Sequence, residues 1–66
     1  MKVSFDLKID TISVILKEGV TIVESDEEKP GIILDYDADG GLVSLEILDA
    51  SQRVTEARHV DFQTVE

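Results

Sequence analysis

The chain has no cysteine and no tryptophan, a single proline and a single histidine, and six Lys and Arg residues in a length of 66. Without cysteine, disulfides and thiolate zinc sites are both excluded. With His59 as the only histidine, no multi-histidine metal centre can be assembled within one chain. No apolar run approaches the roughly 20 residues that a membrane helix needs. The opening Met1-Lys2-Val3-Ser4-Phe5-Asp6 has neither the apolar stretch nor the small-residue cleavage site of a signal peptide. The expected location is therefore cytoplasmic, with no membrane partner. The few cations (Lys2, Lys8, Lys17, Lys29, Arg53, Arg58) are scattered along the chain and face fifteen Asp and Glu, for a formal net charge of −9. Such a surface repels phosphate backbones at long range, so no nucleic-acid partner is expected.

What is present is enough for one domain, residues 1–66, with an ordinary apolar content of 42%. A chain this short closes only a small core, and small proteins usually add disulfides, a metal or a partner subunit. With disulfides excluded, self-association is the simplest remaining means, and a homodimer is expected. The acidity suits solubility, a cation, or a basic protein partner.

Alternation with period two recurs along the sequence, as in half-buried strands. Val3 and Phe5 alternate with polar residues in a first strand, and Asp6-Leu7-Lys8-Ile9-Asp10 reads as a turn. Ile12, Val14 and Leu16 mark a second strand, and Lys17-Glu18-Gly19 a short connection. Val20–Glu24 is predicted as the third strand. Ser25-Asp26-Glu27-Glu28-Lys29-Pro30 is predicted as a loop, because adjacent like charges and proline resist ladder pairing. Gly31–Tyr36 and Leu42–Leu48 form a hairpin around Asp37-Ala38-Asp39-Gly40-Gly41, with Ile32, Leu34 and Tyr36 sharing an apolar face with Val43, Leu45 and Ile47. Asp49, followed three residues later by Gln52, predicts a capped short helix from Ala50 to about Glu56. The alternation of Val60, Phe62 and Thr64 suggests that residues 58–66 form a terminal strand or an arm. The predicted fold is mainly β: an antiparallel meander of five to six strands with one short helix after the fifth.

The stretch Gly31-Ile32-Ile33-Leu34-Asp35-Tyr36-Asp37-Ala38-Asp39-Gly40, continued by Glu46-Ile47-Leu48-Asp49-Ala50-Ser51, resembles domain of unknown function 2283, a family of short, mostly prokaryotic proteins. Phe5-Asp6, Asp10 and Ile12 through Leu16 fit the opening of that pattern, although Ser13 stands where an aromatic is common. The resemblance spans roughly residues 3 to 54. It implies a compact fold and brings no activity that can be transferred to any residue.

One constellation invites a chemical reading. Asp35, Asp37 and Asp39 with Gly40 and Glu46 fall at positions one, three, five, six and twelve of a calcium-binding loop. The flanks alternate like strands, whereas a calcium hand requires a helix on each side. Along a strand, Glu46 would be carried roughly 15 Å from Asp39, too far to share an ion. Asp35, Asp37 and Asp39 remain the candidate metal-binding residues; no cofactor is expected.

Catalytic signals are thin. None of the five serines lies in a Gly-x-Ser-x-Gly elbow, and Gly40-Gly41 belongs to a turn rather than a phosphate loop. A sheet this small is expected to lack a pocket of several hundred Å³ in which to shift acid–base groups. No enzyme activity is expected. The sequence leaves two functional readings: an acidic protein–protein interaction or self-association module that could neutralise a basic partner, and a divalent-cation or small-ligand binding domain using the acidic hairpin turn.

Overall fold

The computed structural model describes residues 1–66. Five strands, β1 (Lys2–Asp6), β2 (Thr11–Ile15), β3 (Glu24–Lys29), β4 (Ile32–Tyr36) and β5 (Leu42–Ile47), precede one short helix, α1 (Ala50–Arg53). They form a single antiparallel sheet in the order β1-β2-β5-β4-β3. The expected antiparallel sheet with a short helix after its fifth strand is present. Sequential neighbours pair except at β2 and β3, which residues 16–23 connect across the end of the β4–β5 hairpin. Together β2 to β5 make a Greek key, and β1 extends it at one edge.

Register explains why one face is apolar. Val3, Val14, Leu45, Leu34 and Asp26 face one another across all five strands, as do Phe5, Ile12, Ile47, Ile32 and Lys29. Each rung is apolar from β1 to β4 and becomes charged at β3. On the other face, one rung runs Lys2, Ile15, Ser44, Asp35 and Ser25, and another runs Ser4, Ser13, Glu46, Ile33 and Glu27. The hairpin face departs from the expected pairing at one end. A bulge sets Tyr36 opposite Leu42 and leaves Val43 as the extra residue. Val43 is buried, and its carbonyl accepts the N–H groups of both Leu16 (2.8 Å) and Lys17 (3.1 Å).

The third strand is not where the apolar pattern placed it. It spans Glu24–Lys29, the segment expected to be a loop, whereas Val20–Val23 lie outside any strand. The reason is position: β3 is a sheet edge, fully exposed, so its four acidic side chains keep their water. Charge on an edge strand also discourages pairing with other chains. Pro30 lies just beyond the strand, where its missing N–H costs nothing.

The helix is likewise shorter than expected, and its cap differs. Asp49 adopts a left-handed conformation (φ 53°) and makes no side-chain cap bond. Asp10 caps α1 instead: its carbonyl accepts Ala50 N–H at 2.8 Å, and its carboxylate accepts Ser51 N–H at 3.0 Å and Ser51 Oγ–H at 2.6 Å. Gly31 (φ 85°) lies against the Arg53 guanidinium so closely that a Cβ there would stand 2.5 Å from Nη2.

Residues 58–66 form no strand within the chain and are exposed. No helix is long and apolar enough to cross a membrane. The core is a thin seam in which Ile12, Val43 and Ala50 are the buried hydrophobic residues, and no large side chain is wholly enclosed. The radius of gyration, 12.7 Å, exceeds the about 11 Å of a compact domain of this length.

Candidate functional site

The acidic hairpin is built by its own hydrogen bonds. Asp37 Oδ1 accepts the N–H groups of Asp39 (3.0 Å) and Gly41 (2.8 Å), while Oδ2 receives Lys17 Nζ at 3.0 Å in the chain's one ion pair. Gly40, at φ 81°, supplies the left-handed residue that closes the turn. The Gly41 N–H, the Lys17 ammonium and the Asp39 N–H together hold the Asp37 carboxyl below the usual carboxylate range, against a smaller opposing effect of burial.

Asp35 is placed differently. It lies on the polar face of β4, only 4% exposed, with Ser25 Oγ donating to Oδ1 at 2.6 Å and Ser44 Oγ donating to Oδ2 at 2.7 Å. Ser25 comes from β3 and Ser44 from β5, so one carboxylate ties three strands together. Glu46 stands diagonally beside it. Burial, the negative charge of Asp35 and a hydrogen bond shared with Asp35 push the Glu46 carboxyl above the usual range. Tyr36, at the end of β4, is pushed up as well, first by burial and then by Glu28, Asp26 and Glu24 of the edge strand.

Of the three proposed ligands, Asp35 is therefore occupied across the sheet and Asp37 within the turn, while the Asp39 side chain has no partner. The structure brings no group of three His, Asp or Glu side chains together in a way that could hold a metal ion. Every buried side-chain nitrogen and oxygen has a hydrogen-bond partner. Sequence reasoning missed Ser25, Ser44 and the Asp10–Ser51 bond. Asp10 and Ser51 are 41 positions apart, beyond the reach of any periodic signal.

The expectation that the chain lacks room for a cavity needs correction. A groove of about 690 Å³ runs between the β1–β2 turn and the segment after α1, with Phe5, Leu7, Val54, Arg58 and His59 along it. It exists because the chain after α1 stands over the sheet instead of pairing with it. Two of its polar groups, Asp10 and Ser51, are already bonded to each other.

What the fold leaves unengaged is surface. Eleven large hydrophobic side chains are exposed, among them Leu7 at 63%, Phe62 at 73% and Val65 at 85%. At the sheet edge opposite β1, the acidic strand β3 is exposed as well.

The family model of DUF2283, a protein of unknown function, matches residues 2–51. No curated protein and no solved structure matches the chain.

Proposed function

The chain belongs to the DUF2283 family of proteins of unknown function, and from that footing we propose that it is a small acidic self-association module whose open sheet is completed by a second copy. The observation that carries this reading is the shortage of interior: three buried hydrophobic residues against eleven large ones in water. Domains are stable when an apolar sheet face is covered by a second layer. Here that face has no complete cover of its own. Burial is worth about 25 cal/mol per Å² of apolar surface, and a partner is the available source of more.

The exposed acids of β3 extend the reading to a heterologous partner. Glu24, Asp26, Glu27 and Glu28 lie along one open edge, a surface that favours docking of a basic protein. Such binding would speed up at low salt and slow as salt screens the field.

Sedimentation equilibrium across the micromolar range tests the proposal, with a dimer expected. A monomer at the highest concentrations contradicts it. A calcium titration of the same samples addresses the cation reading, because an ion bound only by the folded state must raise Tm. No rise at millimolar calcium is expected.

A further inference from the structure

We propose that residues 60–66 of each chain dock along the open edge of β1 in a second copy, as an added strand, so that two chains exchange arms. This rests on the self-association reading and names the surface involved.

Two halves of an interface are present on one chain, each incomplete. β1 is a sheet edge, and no backbone hydrogen bond is made on its outer side. Beyond His59, whose N–H reaches Glu56 carbonyl at 2.9 Å, the backbone makes no hydrogen bond within its own chain. Residues 60–66 are therefore an exposed segment whose backbone donors and acceptors are all free; Val60, at its start, lines a groove with Val3 and Phe5 of its own β1, and Gln63 donates to Asp61 within the segment. An extended segment added to a sheet edge satisfies both sets at once.

The apolar side chains divide in the same way. Of the eleven large exposed hydrophobic residues, four lie between Met1 and Ile9, and three (Val60, Phe62 and Val65) lie on the segment itself. The remaining four lie on or beside the crossover between β2 and β3. Val3 and Phe5 point to the apolar face of the sheet. A strand carrying Val60 and Phe62 on one side and Asp61, Gln63 and Val65 on the other continues that face outward by one strand through Val60 and Phe62.

Charge selects the edge and the occupant. The segment carries Asp61 and Glu66, so the acidic β3 edge repels it, whereas β1, with Lys2 at one end and Asp6 at the other, carries no net charge. Joining at β1 also keeps the two β3 strands at the far edges of the combined sheet, which limits repulsion between two chains of net charge −9. A second copy is the occupant because the exchange is reciprocal. Each chain offers its β1 edge and one free arm, and a two-fold axis closes both.

The test uses the full chain in two measurements. Sedimentation compares wild type with Phe62→Asp, a change at an exposed position that leaves the monomer fold and its circular dichroism intact. Hydrogen exchange follows the amides of residues 60–65. The wild type is expected to dimerise, with these amides protected at high concentration and unprotected after dilution to monomer. The variant is expected to dissociate with a Kd raised roughly tenfold or more. A wild-type dimer that Phe62→Asp leaves intact, or whose 60–65 amides exchange freely, overturns the arm exchange and retains self-association. Protection that persists in the diluted monomer overturns it by placing the arm on its own edge. A wild type that never dimerises removes both readings.

Discussion

Asp10 and Ser51, at opposite ends of the folded region, are joined by two hydrogen bonds that seat α1 on the β1–β2 turn. The Asp10 carboxylate serves as the helix cap from another part of the chain, and Ala50 between them is fully buried. Charge-assisted bonds to a helix N-terminus are among the stronger local interactions. Asp10→Ala is expected to destabilise the fold by about 1–2 kcal/mol in urea denaturation. Asp49→Gly is expected to be neutral or to stabilise by ~0.5 kcal/mol, since Asp49 pays for a left-handed backbone without capping anything. A larger loss at Asp49 than at Asp10 contradicts this assignment.

The Asp35 carboxylate should carry weight in stability. Asp35→Ala leaves the Ser25 and Ser44 hydroxyls without their acceptor, one of them on the edge strand. The expected cost is about 2–3 kcal/mol, with faster amide exchange along β3. A cost below roughly 0.5 kcal/mol, the range of ordinary surface changes, contradicts the three-strand tie.

Glu46 and Asp37 act on stability with opposite sign as pH changes. Glu46 has its folded-state pKa raised, so the native state holds its proton longer, and stability falls as pH rises from the ordinary carboxylate range through the raised value. Glu46→Gln removes that loss, and Tm is expected to rise at pH 7 with no gain at pH 4. Asp37 has its folded-state pKa lowered, so its stabilisation is present above the ordinary carboxylate range and is lost as pH falls through the lowered value. Asp37→Asn should therefore lower Tm at pH 7 and have little effect at the acid end. Thermal melts of both variants from pH 3 to pH 8 check the two signs together.

Gly31 combines a left-handed φ with the closeness of Arg53. Gly31→Ala is expected to cost about 1–2 kcal/mol, mostly from the backbone because the guanidinium is a flexible end that can shift. Adding Arg53→Ala should recover only the smaller, steric part. Full recovery in the double variant, measured by denaturation, contradicts that division.

Much of the sheet was legible because period-two alternation and turn chemistry agree in β1, β2, β4 and β5. Gly40 and Asp37 make the turn that their types announce, and the strand flanks separate this loop from a calcium hand despite its matching acids. The third strand was not legible, since Val20–Val23 carry the stronger local signal and Glu24–Lys29 pair only because an edge tolerates charge. The fate of Asp35 was hidden for a related reason: a buried acid held by Ser25 and Ser44 looks in sequence like any other acid at a strand end. The sequence points to Asp49, the neighbour of α1, as its cap, whereas the distant Asp10 makes the capping bonds. Residues 58–66 alternate like a strand and find no place in their own sheet.

Thermal unfolding across a hundredfold range of protein concentration decides whether a second copy completes the sheet, because only a fold completed by association gains stability by mass action. Tm is expected to climb by several degrees as concentration rises. A midpoint unmoved by dilution, with unfolding unchanged at the lowest concentration, contradicts it.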